Sequence, residues 1–183
     1  MTTTWPEAPR RRAGGRALMA RCVAWMLFPL LAHAFDARVV SVEDGDSLTV
    51  VDAERKRYRV RLAGADAPEW SQPFGDKAKT ALAALVFGRE VEVAGGKTDS
   101  YGRIVAKVMA SDPHCNAPAC PKLHDVGLMQ VMAGMAWWYR QYAGEQTPRE
   151  REDYAAAEFA AKTHRLGLWA DGNPVPPWTW RRR

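Results

Sequence analysis

Lys56-Arg57-Tyr58-Arg59-Val60-Arg61-Leu62 alternates strictly, with Tyr58, Val60 and Leu62 on one side and Arg57, Arg59 and Arg61 on the other. A side-chain period of two is the mark of a strand with one face in a core and one in water. Outward from it, Arg38–Val42 and Ser47–Val51 are equally β-rich, and Glu43-Asp44-Gly45-Asp46 between them is turn-forming. Further strands are expected at Glu90–Val93 and Ile104–Met109. Helical spacing appears first at Ala78, Ala81, Leu82, Leu85 and Val86, with Gly88 as a stop. A second helix is expected to start at Asp125 and to bury Leu128, Met129 and Met132. A third carries Thr147-Pro148-Arg149-Glu150, a cap, a first-turn proline and a glutamate able to reach back, and should run to about Leu166 before Gly167. Asn173-Pro174-Val175-Pro176-Pro177-Trp178 reads as an extended, non-helical tail. Five short strands with about three helices between and after them predict an α+β protein, a five-stranded Greek-key barrel of the OB-fold type.

Residues 1–34 differ from the rest. Arg10, Arg11, Arg12, Arg16 and Arg21 precede an apolar run, Cys22–Ala32, that ends in Ala32-His33-Ala34. Basic lead, short apolar run and small-residue exit predict a secretory signal peptide over 1–34, with Met19 as an alternative start. The remaining assignment is a domain over 35–170 and a tail rich in Pro, Trp and Arg over 171–183. The whole chain carries 26 Lys and Arg against 21 Asp and Glu. Five Arg and one Glu fall in residues 1–34, which leaves 21 against 20 beyond them. Overall basicity therefore says nothing about nucleic acid, and any such signal must be local. Cys115 and Cys120 remain after the leader, flanked by His114 and His124. A disulfide, free thiols and a zinc site are all open on these residues.

Four clusters could carry chemistry. Asp44-Gly45-Asp46 is, alone, ordinary hairpin sequence. Arg61 ends a strand, with Asp66, Pro68 and Glu69 on the loop beyond it; alone these read equally well as a solvated loop. Asp99-Ser100-Tyr101-Gly102-Arg103 is a turn entering a strand. Trp137-Trp138-Tyr139-Arg140-Gln141-Tyr142 suits base stacking, although Trp137 and Trp138 fit core packing better. Together the set is harder to dismiss. Asp46 and Asp66 offer the hard oxygens Ca²⁺ prefers, Arg61 and Arg103 offer forks that match a phosphate, and Glu69 could accept a proton from water. That inventory can hydrolyse a phosphodiester.

These motifs, Asp44-Gly45-Asp46, Arg61…Asp66-Ala67-Pro68-Glu69 and Tyr101-Gly102-Arg103, occur in the order and spacing of the staphylococcal-nuclease (thermonuclease) family, which the chain resembles over nearly all of residues 37–170. Gly167-Leu168-Trp169 and the tail look like those of exported bacterial members. The resemblance implies an OB-fold nuclease that binds one Ca²⁺ through Asp46, Asp66 and the Ala67 backbone carbonyl, where many members have threonine. It implies that Glu69 positions or deprotonates the water, that Arg61 and Arg103 grip the scissile phosphate, and that Tyr101 and Tyr142 contact nucleotides. Ser100 stands where the best-known member has a phosphate-binding lysine. DNA and RNA are the implied partners and 3′-phosphates the implied products. An exported monomer without stable membrane association is expected. The competing readings are a binding-only module and a zinc-stapled surface protein centred on His114, Cys115, Cys120 and His124.

Overall fold

The computed structural model describes residues 1–2, 34–115, 117 and 120–183. The signal-peptide reading therefore falls largely outside the described residues. The described residues from 34 onward form one compact unit. Its strands are β1 (Phe35–Val42), β2 (Ser47–Val51), β3 (Arg57–Leu62), β4 (Ala65–Asp66), β5 (Glu90–Thr98), β6 (Ile104–Ser111), β7 (Lys122–Asp125) and β8 (Trp137–Trp138). Its α-helices are α1 (Gly75–Val86), α2 (Val126–Met132), α3 (Pro148–Thr163) and α4 (Pro177–Trp180).

The strand order is β3-β2-β1-β5-β6-β7, and β3 also pairs in parallel with β6, which closes a five-stranded barrel. The alternation of β3 is realised: Val60 and Leu62 are buried and Arg57 and Arg59 exposed. Leu48, Val50, Val60, Leu82, Val91 and Val108 fill the barrel, each contributing roughly 1.5–3 kcal/mol of apolar burial. Helix α1 closes one side by burying Ala78, Leu82 and Val86, spaced one helical turn apart. A second, smaller core lies where α2 and α3 meet β4 and β8, around Ala65, Val131, Ala136, Tyr154 and Ala157.

Three local readings change. Helix α2 starts at its Asp125 cap as expected, but it buries Val126, Gln130 and Val131 while Met132 is exposed. The inward face is chosen by Gln130, whose amide donates to the carbonyls of Gly45 and Ala78 at 2.8 and 3.0 Å. Helix α3 has the capping box but stops at Thr163, because Arg165 takes a left-handed φ of 51° and turns the chain early. The tail is not wholly extended: Pro177 opens one helical turn, at the position where a proline's fixed φ suits a helix. Cys115 and Cys120 are disulfide-bonded, with Cα atoms 6.0 Å apart. Among the described residues, no group of three or more His, Cys, Asp or Glu side chains forms a metal cluster, and no helix is long and apolar enough to cross a membrane.

Glu158 ties β8 to α3. It is 1% exposed and accepts from the Trp138 amide at 3.1 Å, Arg140 at 2.7 Å and Lys162 at 2.9 Å. Burial alone would raise its pKa, but the hydrogen bonds from Arg140 and Lys162 win and hold it below the ordinary 4.5. A depressed folded value means stability that is present at neutral pH and lost as pH falls below 4.5. Glu158→Gln is expected to cost on the order of 1–2 kcal/mol at neutral pH, limited because the Arg140 and Lys162 heads reach solvent. Urea unfolding across pH checks this: the gap from wild type should close on acidification, and a pH-independent gap contradicts it.

Candidate active site

Asp46 is carried in by a turn that must come very close to its neighbours. An added Cβ on Gly45 would lie 2.5 Å from the Ala78 Cβ and 2.6 Å from the Ala67 Cβ, so glycine is required for close approach there. The Asp46 amide donates to Asp44 Oδ1 at 2.9 Å and locks the turn. Its own carboxylate is buried and accepts from the Ala67 amide on Oδ2 at 2.9 Å and from Ser47 Oγ on Oδ1 at 3.0 Å. Asp66 is fully buried and belongs to β4, whose pairing with β8 sets it opposite Trp137. Arg61, at the end of β3, forks between the two: Nη1 donates to Asp46 Oδ1 and Nη2 to Asp66 Oδ1, each at 2.7 Å. Two carboxylates 20 residues apart in sequence thus converge on one cation.

Glu69 sits on a loop pinned from both sides. Gln72 and Glu69 exchange hydrogen bonds, and Gly75 packs so tightly on the Glu69 carbonyl that an added Cβ would be 2.0 Å from it. The Glu69 carboxylate accepts from Arg181 Nη1 at 2.7 Å, and the same guanidinium donates to both oxygens of Asp66, at 3.1 and 2.8 Å. Arg103 is held by Asp99 at 2.8 Å and donates through Nη1 to Ser47 Oγ at 3.2 Å. A continuous chain of polar contacts therefore runs Arg103–Ser47–Asp46–Arg61–Asp66–Arg181–Glu69. It opens into a cleft of about 740 Å³. Tyr101 and Tyr142 border that cleft and are 74% and 42% exposed. Arg103 lies 5.3 Å from the Tyr101 ring centre and Lys97 4.8 Å from that of Tyr142, an arrangement suited to a polyanion with planar groups.

The electrostatics are unbalanced. Burial pushes the Asp46 carboxyl above its usual range, against the pull of Arg61, and Asp44 nearby pushes the same way. Burial would favour loss of the Arg61 proton, but Asp46 and Asp66 outweigh it and keep the guanidinium charged. Three carboxylates, Asp46, Asp66 and Glu69, face two guanidinium groups, since Arg103 is already paired with Asp99. Only Asp46 and Asp66 converge, on Arg61, while Glu69 joins through Arg181; two buried hard-oxygen donors suit a hard divalent cation, and water and phosphate oxygens would have to complete its coordination.

The structure thus gathers Asp46, Arg61, Glu69 and Arg103 at one cleft, with Tyr101 and Tyr142 on its border, and sets the fully buried Asp66 behind it, bonded by Arg61 and Arg181. Ala67 joins them through its backbone N–H, which donates a hydrogen bond to Asp46 Oδ2. Cys115 and Cys120 do not line it. Sequence reasoning missed Arg181, Ser47, Asp99 as the partner of Arg103, and Tyr139, whose ring lies 6.0 Å from the Arg61 guanidinium. For Arg181 the only available signal was an arginine run after two tryptophans at the chain's end.

The family model described as staphylococcal nuclease homologue matches residues 59–171. A Shigella flexneri protein named micrococcal nuclease is 40% identical over 167 residues, covering 91% of each chain. A Haemophilus influenzae protein named uncharacterized endonuclease is 39% identical, over 80% of this chain and 72% of its own. An Escherichia coli protein of the same name is 36% identical, over 85% of this chain and 91% of its own.

Proposed function

The chain belongs to the staphylococcal-nuclease family and is a phosphodiester hydrolase acting on nucleic acid, and from that premise we propose that it is an exported, calcium-dependent nuclease of DNA and RNA that leaves 3′-phosphates. The observation that carries the reading is the convergence of buried Asp46 and Asp66 on a single guanidinium beside Glu69.

Asp46, Asp66 and the Ala67 carbonyl would hold the Ca²⁺. When bound, the ion supplies Lewis-acid charge to the phosphoryl group. Arg61 and Arg103 grip the scissile phosphate through forked hydrogen bonds, which strengthen as charge builds on its oxygens. Glu69 orients a water for in-line attack on phosphorus and takes its proton, while the bond from phosphorus to the 5′-oxygen breaks and that oxygen leaves as a 5′-hydroxyl, taking a proton from solvent. Tyr101 and Tyr142 hold nucleotides flanking the cleft by stacking, which is tolerant of base identity. Residues 1–34 act as the export signal, residues 35–170 form the nuclease domain, and the protein works as a monomer. Outside the cytoplasm calcium is plentiful, so a site with few carboxylates still fills. A disulfide between Cys115 and Cys120 is compatible with that compartment.

The binding-only alternative is disfavoured because Asp46, Arg61, Asp66, Glu69 and Arg103 are all present and joined in one chain of polar contacts. The test is direct: residues 35–183 are incubated with single-stranded DNA, duplex DNA and RNA, with calcium or with a chelator, and product ends are mapped. Cleavage of all three only with calcium, with 3′-phosphate ends, is expected. Full activity in chelator, or tight binding without cleavage, sinks the proposal.

A further inference from the structure

Residues 171–183 do not hang free of the barrel. Pro177 is buried, and the Trp178 ring lies 5.6 Å from Trp137 and 5.7 Å from Tyr139, centre to centre. Gln72, on the Glu69 loop, donates to the Val175 carbonyl. The single turn of α4 then hydrogen-bonds the Arg181 amide to the Pro177 carbonyl at 2.9 Å and aims the side chain at the cleft. A surface arginine in a lone ion pair would mean little. Arg181 differs, because its fork reaches both oxygens of a fully buried Asp66 and, from the shared Nη1, the Glu69 carboxylate.

Glu69 has three rotatable bonds and a third of its side chain in solvent. Left alone, it would sample rotamers that carry the carboxylate away from the phosphate. A carboxylate that orders a water must be held to a fraction of an ångström, since misplacement by about 1 Å can cost on the order of 10²-fold in rate. Arg181 spans Glu69 and Asp66 and so ties the mobile carboxylate to an immobile one.

We propose that Arg181 is a positioning residue for the hydrolysis, delivered by the C-terminal strap to hold Glu69 in register with Asp66. The proposal rests on the role given to Glu69 above. Its location in the chain makes the strap part of the active site rather than an appendage.

The test uses residues 35–183 carrying Arg181→Ala or Arg181→Lys, with Arg183→Ala, whose guanidinium meets the Trp180 ring, as the control. Four quantities are read: kcat and KM on DNA, recovery of kcat by millimolar guanidinium ion, terbium luminescence at the cation site without substrate, and Tm. For Arg181→Ala, kcat is expected to fall about 10–100-fold with KM changed less than about 3-fold. Guanidinium ion should restore part of that loss, and should do nothing for wild type or Glu69→Ala. Arg181→Lys should lie between, because it keeps the charge but loses the fork. Terbium should bind Arg181→Ala more tightly, since Asp66 has lost a positive neighbour. Wild-type kcat in Arg181→Ala, a rise in kcat, or a loss matched by lower Tm and not rescued by guanidinium each overturns the proposal. If Glu69→Ala is inactive while Arg181→Ala is not, only this inference fails. If Glu69→Ala is as active as wild type, the role of Glu69 fails and this inference falls with it.

Discussion

Glu69→Gln is expected to lower turnover by about 10²–10⁴-fold at saturating calcium while leaving stability within about 0.5 kcal/mol of wild type. The first half follows from proton bookkeeping alone. An attacking water must lose a proton as it bonds to phosphorus, and a neutral amide cannot take it. The second half follows from position. The Glu69 side chain is a third exposed, lies on a loop, and contributes nothing to either core. Its one cationic partner, Arg181, keeps both hydrogen bonds to Asp66 when the Glu69 charge is removed. Single-turnover rates on DNA separate the chemical step from product release, and urea unfolding reads stability. Turnover within tenfold of wild type removes Glu69 from the mechanism.

Arg61→Ala should fail differently. Here a loss of about 10²–10³-fold in turnover is expected to arrive together with a loss of about 3–5 kcal/mol in stability without calcium. From the sequence alone, Arg61→Ala is expected to leave the fold intact, because it removes transition-state stabilisation rather than core packing. The structure alters that expectation. Arg61 is 14% exposed and pairs with two carboxylates that are 4% and 0% exposed; its removal strands the buried Asp46 charge and leaves Asp66 to Arg181 alone. Calcium should stabilise Arg61→Ala more than it stabilises wild type, because it replaces the missing cation between Asp46 and Asp66. Arg61→Lys should recover part of the stability and little of the turnover, since an ammonium has the charge but not the fork. Equal stabilisation of both proteins by calcium contradicts a cation site between those carboxylates.

The two variants also separate the levels at which the site can be read. Asp46, Arg61, Asp66, Glu69 and Arg103 could be picked out from the chain because each is an ionisable residue at a turn or strand end, where side chains are aimed outward from a rigid frame. That frame was legible because β3 alternates and because α1 and α3 carry helical spacing and a capping box, all of them local signals. The inward face of α2 was not legible. Gln130 is buried only because two carbonyls, Gly45 and Ala78, come to it from remote parts of the chain. The same holds for the Trp137–Trp178 contact and the α4 turn, since a proline-rich tail offers no pattern that states what it packs against.

Local sequence, then, determined the five barrel strands, the inward face of α1, the cap of α3, the turn that presents Asp46, and the supply of oxygen and guanidinium groups, because period, caps and turn residues act over a few positions. Tertiary structure alone decided that Arg61 is a buried counter-ion, that Ser47 links Arg103 to Asp46, and that Arg181 crosses 112 positions to meet Glu69. Those are encounters between distant segments. Their energies depend on burial and on the charge around them, and neither quantity exists until the barrel has closed.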